Sequence, residues 1–473
     1  MNKKFYLTNA IPYVNAPPHL GHVLELVQSD TTARYHRLLG QDTYFLFGSD
    51  ENSLKNVQAA EEEKISTQEL VNKNSKKFKD LKKVLNLSFD DFIRTTEKRH
   101  IEGAQKLWLS CQKEDIYKKN YKGLYCLGCE AFYTEKDLVN GKCPEHNTKP
   151  EVIEEENYFF RLSKYQDSLK DLISKNKLKI IPQTRKNEVL AFIERGLEDF
   201  SISRSKKRVH NWGIPVPNDP KQIIYCWFDA LANYITALNW QDNGPLFKKY
   251  WPADVHIIGK GISRFHAIYW PAMLQSVGLP LPKEIFVHGY VTVNGQKISK
   301  SLGNVINPFA LVKKYGTDPI RYYLLKEIPA YDDGDFSESR FREVYNADLA
   351  NGLGNLVARV AKLCEKAEIE TKKSDDSSHF SEEVNKFLTE FKFDEALKFI
   401  WEKISQVDHY LDEKKPWLLK ENEIGEICSD LIKKIQEITV LLTPFLPETA
   451  EKIQKQFQGP KIKFEKPLFP RIK

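Results

Sequence analysis

Apolar positions along the chain follow two grammars. Short apolar runs at Phe5–Leu7, Thr43–Phe47 (TYFLF), Lys221–Phe228 (KQIIYCWF), Val255–Ile258 and Ile285–Val287 each meet a polar or glycine-containing segment. That pattern predicts strands of a parallel α/β sheet. The first strand enters a Pro/Asn-rich loop and then a helix starting near Pro18–Gly21, and long charged helices follow the second. Between Tyr121 and Pro150 the texture changes to Cys, Gly and charge, so a small module is expected to split the sheet. From about Tyr345 the second grammar takes over. Leu349, Leu353, Leu356 and Val360 recur at helical spacing. Helix-like segments continue to about residue 458, interrupted by KKSDDSSH and by Pro416, Pro444 and Pro447. The carboxy-terminal part is expected to be all helical.

Composition narrows the class. With 41% hydrophobic and 29% charged residues over 473 positions, the chain is neither disordered nor collagen-like, and its length suits several domains. No run of eighteen apolar residues occurs, and the amino terminus lacks an apolar signal core, so a soluble cytoplasmic protein is expected. The net charge of +6 is mild. Residues 341–473 hold 22 basic and 24 acidic side chains, so a nucleic-acid contact there must be local.

Four constellations carry candidate chemistry. His19-Leu20-Gly21-His22 opens the first helix, with two histidines three apart on one face and backbone N–H groups suited to phosphate. Alone it reads equally as an ordinary first turn with solvated imidazoles. Lys297-Ile298-Ser299-Lys300-Ser301 follows the tight-turn pair Asn294-Gly295 and suits a polyphosphate, although a solvated basic loop has the same pattern. No P-loop and no clean dinucleotide fingerprint is present. Cys126-x-x-Cys129 and Cys143-x-x-His146 have the donor set of a closed tetrahedral Zn²⁺ site, with redox use of the CxxC as the alternative. Asn355 and Arg359 share a helical face, and Trp417 follows Pro416. A surface pair and a core tryptophan describe them as well.

Taken together, HLGH and KISKS on a split α/β sheet resemble the two signatures of class I aminoacyl-tRNA synthetases. NAIPYVNAPPHLGH, YKGLYCLGCEAFY, WFDALANYITAL, WPADVHIIGK, RFHAIYWPAML, KISKSLGNV, NGLGNLVARV and DEKKPW extend the resemblance to the methionyl-tRNA synthetase family along essentially the whole chain. The resemblance implies a Rossmann-like catalytic domain in two halves (1–115 and 206–344), a connective insertion at 116–205 with a zinc knuckle at about 121–150, and a helical anticodon-binding domain at 345–473. It also implies methionine activation with Mg²⁺-ATP and transfer to the 3′ end of initiator and elongator tRNA(Met). His19, Gly21, His22, Lys297, Ser299 and Lys300 would bind ATP, with the two histidines and two lysines catalytic. Ala10, Ile11, Tyr13, Asp50, Trp227, Tyr234, His266 and Trp270 would surround methionine. One structural Zn²⁺ would sit on Cys126, Cys129, Cys143 and His146. Asn355, Arg359 and Trp417 would read the anticodon. The carboxy-terminal extension of longer members is not seen, so a monomer is expected.

Four positions depart from the family pattern. Ile298 stands where methionine is usual, Asn52 where histidine is, and Gly261 where an aspartate is. Cys226 takes a usually apolar place and is expected in the core. Rival readings are a synthetase for another apolar amino acid and a non-catalytic tRNA- or zinc-binding descendant.

Overall fold

The computed structural model describes residues 3–128, 131–133, 135–145, 147–298, 303–369, 380–419 and 421–472. It divides into two compact units. The first holds residues 1–18, 41–82 and 89–288, and the second 19–40, 83–88 and 289–473.

The first unit is built on a six-stranded parallel sheet. Its order is Asp91–Arg94, Asp42–Ser49, Lys4–Asn9, Val255–Gly259, Glu284–His288, Lys179–Ile181. Phe45, Leu46 and Phe47 are all buried, as the continuous apolar run of a strand covered on both faces requires. Strand order reverses between Lys4–Asn9 and Val255–Gly259, which creates the crevice where open α/β sheets bind ligands. The strand expected in the parallel sheet over Lys221–Phe228 lies outside it, paired antiparallel with Ser203–Ser205 and Pro215–Val216, and is shorter than its apolar run. It spans Asp219–Ile224, and Cys226 opens the helix Cys226–Thr236. That helix is buried on nearly every side, so it needs the continuous hydrophobicity that otherwise marks a strand.

The split of the sheet is as expected. Between Arg94 and Lys179 the chain lays down three strands of a separate antiparallel sheet, which Phe200–Ser201 completes after Lys179; its order is Ala131–Tyr133, Ile116–Cys126, Glu151–Phe160, Phe200–Ser201. A three-stranded sheet of Ser203–Ser205, Pro215–Val216 and Asp219–Ile224 then delivers the chain to the Cys226 helix.

The second unit contains the helix Leu20–Leu38, the hairpin Val291–Val293/Gln296–Lys297 and the carboxy-terminal helices. Arg321 lies at its centre with no exposure and pairs with Asp30 at 2.8 Å. Its remaining donors reach the carbonyls of Leu85, Pro444 and Phe445, so one guanidinium ties three stretches of chain. Burial pushes the Asp30 carboxyl up, but Arg321 and Arg34 outweigh it and hold the group below its ordinary range. Leu349, Leu353, Leu356 and Val360 are buried on helical backbone as their spacing predicts. Tyr345–Gly354 is nevertheless wound as a π-helix before the α-helix Asn355–Lys366 begins. A Cβ on Gly354 would stand 2.8 Å from the Leu349 carbonyl oxygen, a closeness only glycine tolerates. The KKSDDSSH interruption lies outside the described residues. Among the described residues, no helix is long and apolar enough to cross a membrane.

Candidate active site

In the first unit, the expected methionine residues gather at the carboxyl ends of the central strands. Ala10 and Ile11 follow Lys4–Asn9, and the Ala10 N–H donates to the Ile257 carbonyl at 3.1 Å. Asp50 follows Asp42–Ser49, is 2% exposed and is locked to Tyr13 by a parallel β-bridge. The Asn52 N–H donates to its carboxylate at 3.2 Å. Trp227 and Tyr234 come from the Cys226 helix, and His266 and Trp270 from the segment after Val255–Gly259. The rings interlock, with Tyr13–Trp227 and Trp227–His266 centroids 6.3 Å apart and Tyr234–Trp270 at 6.1 Å. Tyr13, Asp50, Trp227, Tyr234, His266 and Trp270 are therefore linked, with Ala10 and Ile11 on the chain between the first strand and Tyr13.

Hydrogen bonding fixes the imidazoles. His266 donates from Nδ1 to the Ile262 carbonyl at 3.0 Å, so its Nε2 accepts from the Tyr234 hydroxyl at 2.7 Å. Burial pulls its pKa down to about 4, only partly offset by that carbonyl. Two further residues belong to the enclosure and were not singled out from sequence. His256 accepts the Trp270 indole N–H at 3.3 Å, donates to the Thr8 hydroxyl at 2.6 Å and lies 4.3 Å from the Tyr234 ring. Phe265 stacks on Trp227 at 3.9 Å and 1°. Both lie within the motifs already quoted, but only the fold shows which way they face.

Asn52, in place of the usual histidine, spans the gap with its amide. It donates to the Thr95 carbonyl at 3.2 Å and to Asp229 at 3.1 Å. Cys226 is buried as expected, and its sulfur lies 3.9 Å from the Tyr13 hydroxyl. Gly261 sits in the short 3₁₀ turn Lys260–Ile262.

In the second unit, HLGH differs from the expected helical face. His19 is the N-cap, with extended backbone at φ −126° and ψ 178°, and His22 is the third helical residue. The Gly21 N–H donates to His19 Nδ1 and the His19 N–H to His22 Nδ1, both at 3.1 Å. This reciprocal box stacks the two rings 3.8 Å apart. The expected free backbone donors at Gly21 and His22 are thus already used, the latter by the His19 carbonyl at 3.0 Å. Each imidazole therefore carries its proton on Nε2. Burial lowers the His19 pKa to about 4 and takes His22 well below its ordinary value. Lys297 closes the expected Asn294-Gly295 turn, whose two residues have φ of +52° and +74°, and is exposed. Ser299 and Lys300 lie outside the described residues.

Cys126 and Cys143 are each 1% exposed and meet at Thr148. The Cys143 N–H donates to its carbonyl, and Cys126 Sγ is 3.9 Å from its hydroxyl. Cys129 and His146 lie outside the described residues, among which no cluster of three metal-binding side chains occurs. Asn355 is exposed, and Arg359 pairs with Asp408 at 2.7 Å and with Asp412. Its guanidinium faces the Trp417 ring at 5.7 Å. Trp417 is not a core residue, being 49% exposed.

A parallel sheet split by an insertion, with an enclosed carboxylate at its switch point and a helical unit beyond, defines a class I tRNA synthetase architecture. The family model for class I tRNA synthetases (M) matches residues 5–149 and 137–361, and that for the anticodon-binding domain of tRNA ligase matches 376–473. Methionine–tRNA ligase of Clostridium acetobutylicum is 42% identical over 99% of this chain and 78% of its own length. That of Brucella suis is 42% identical over 95% of this chain and 91% of its own. Mycobacterium tuberculosis methionyl-tRNA synthetase in complex with methionyl-adenylate superposes with a TM-score of 0.91 at 37% identity, covering 99% of this chain and all of that one. The chain belongs to the methionyl-tRNA synthetase family.

Proposed function

We infer that the chain is an ATP-dependent methionine–tRNA ligase. The observation that carries this reading is the enclosure of Tyr13, Trp227, Tyr234 and Trp270 beside the buried Asp50. Polarisable rings suit a flexible thioether, and the carboxylate suits the substrate ammonium group. The methionine carboxylate attacks the α-phosphorus of ATP, pyrophosphate leaves, and the terminal ribose of tRNA(Met) then attacks the activated carbonyl and releases AMP. Mg²⁺ arriving with ATP supplies phosphate charge neutralisation. His19 and His22, neutral at working pH, donate from Nε2 to developing phosphate charge, while Gly21 lets ATP approach. Lys297, Ser299 and Lys300 take the pyrophosphate.

Cys126, Cys129, Cys143 and His146 hold one structural Zn²⁺, a donor set with no open position. Cys126 and Cys143, both buried and both bonded to Thr148, one through its sulfur and the other through its backbone N–H, fit that role. Elemental analysis of protein purified without chelator should find one zinc per chain, and metal-free protein overturns the assignment. Asn355, Arg359 and Trp417 read the anticodon, the tryptophan by stacking. We read 1–115 and 206–344 as the catalytic domain, 116–205 as the insertion and 345–473 as the anticodon-binding domain, acting as a cytoplasmic monomer. Exchange of labelled pyrophosphate into ATP tests the whole. Exchange should depend on methionine and not on isoleucine, leucine or valine. No exchange with any amino acid would mark a binding module instead.

A further inference from the structure

His256 lies fully buried on the central strand Val255–Gly259. It stands opposite Thr8 of Lys4–Asn9 in the register of the two parallel strands, and neither side chain has any exposure. Its Nε2 accepts the Trp270 indole N–H at 3.3 Å, and its Nδ1–H donates to the Thr8 hydroxyl at 2.6 Å. An indole can only donate, so the direction of the first bond fixes the tautomer and with it the direction of the second. Burial takes the His256 pKa well below its ordinary value, with His266 adding to the effect, which keeps the ring in the neutral form that can accept.

The bonding around His256 is a closed set. Trp270 has no exposure, and its ring lies 6.1 Å from both Tyr234 and Trp251. The Tyr234 hydroxyl donates to His266 Nε2, and His266 Nδ1–H donates to the Ile262 carbonyl. Every N–H or O–H on the side chains of Trp270, Tyr234, His256 and His266 is thus taken by an acceptor of the protein. Rings whose donors are engaged in this way offer a ligand only apolar contact. A thioether asks for no hydrogen bond, whereas its sulfoxide brings a strong acceptor that would be buried unpaired. We propose that His256 is a specificity-determining positioning residue: by engaging the Trp270 indole it withholds a donor that would accommodate methionine sulfoxide in place of methionine. The inference rests on the methionine–tRNA ligase reading and deepens it.

The test compares methionine with methionine sulfoxide in pyrophosphate exchange by the full chain, unmodified and with His256→Leu, His256→Phe or His256→Gln. Leucine and phenylalanine have no acceptor for the indole, and phenylalanine keeps a planar ring beside Tyr234. The glutamine amide can accept from Trp270 and donate to Thr8. In the apolar variants the ratio of kcat/KM for methionine to that for the sulfoxide should fall roughly 5- to 150-fold, as for one buried donor released from its partner. Where the sulfoxide is not turned over, its inhibition constant against methionine takes the place of its kcat/KM. KM for methionine should rise while KM for ATP stays unchanged, and His256→Gln should restore most of the ratio. A histidine that only packs would lower activity toward both substrates in step, so a folded apolar variant with the unmodified ratio overturns the proposal. A glutamine variant no better than the apolar ones overturns it too, as does an unmodified chain that activates the sulfoxide as readily as methionine. Absence of any methionine-dependent exchange by the unmodified chain would defeat the underlying reading instead.

Discussion

Single hydrogen bonds decide which atoms of this site are available. Each N–H that points into a histidine ring nitrogen fixes that nitrogen as an acceptor, so His19 and His22 both keep their proton on Nε2. The same reasoning places the His266 proton on Nδ1 and leaves Nε2 to hold the Tyr234 hydroxyl. Asn52 acts in a comparable way without an imidazole, joining Thr95 to the buried Asp229. Removing a donor from a buried carboxylate costs about 1–3 kcal/mol. Asn52→Ala should therefore lower the unfolding midpoint and raise the KM for methionine in pyrophosphate exchange, since the two side-chain bonds also fix the backbone N–H that donates to Asp50. An unchanged midpoint and KM would show that the amide does not bridge.

At the scale of elements, exposure separates stability from recognition. The 3₁₀ turn Pro416–Leu418 keeps Pro416 buried while Trp417 and Leu418 stand 49% and 73% exposed. Arg359 is held by Asp408 and Asp412 with its guanidinium toward that ring. A half-exposed tryptophan contributes little to the fold, so Trp417→Ala should leave the melting temperature within a degree or two. Loss of one stacked base should cut kcat/KM for tRNA charging roughly 5- to 150-fold while pyrophosphate exchange is spared. A folded variant that charges subsaturating tRNA at the unmodified rate refutes the anticodon role. A large fall in melting temperature would return Trp417 to packing.

Across the molecule, buried neutral histidines link stability to pH. His100 and His256 have no exposure and His266 has 1%. Burial lowers His100 to about 3 and His266 to about 4, and takes His256 well below its ordinary value. Each folded-state pKa lies below the unfolded value of about 6.5, so the unfolded chain binds more protons between the two. Their stabilisation is complete above pH ~6.5 and is lost as pH falls toward ~4. Each contributes a slope of about 1.4 kcal/mol per pH unit in that window. Melting temperature should fall steeply between pH 7 and 5 and be nearly level just above 7. A level curve down to pH 5 would mean that these imidazoles are not buried in the neutral form.

Local rules made part of this protein legible in its sequence. Apolar runs ending in polar segments located the strands Lys4–Asn9, Asp42–Ser49, Val255–Gly259 and Glu284–His288. Asn294-Gly295 specified its own turn because both residues tolerate positive φ. The spacing of Leu349, Leu353, Leu356 and Val360 specified a buried helical face, although not its π winding. Motif order along the chain pointed to the family. The rest depended on which surfaces distant segments cover, and periodicity carries no such information. KQIIYCWF has the hydrophobicity of a strand, yet the packing around Cys226–Thr236 makes its last residues a helix. His19 and His22 meet through a cap, not along a face, because the N-cap backbone is extended. Phe265 and His256 enter the aromatic enclosure, and Trp417 stays outside the core, because chain far away in sequence covers the first two and leaves the third to solvent.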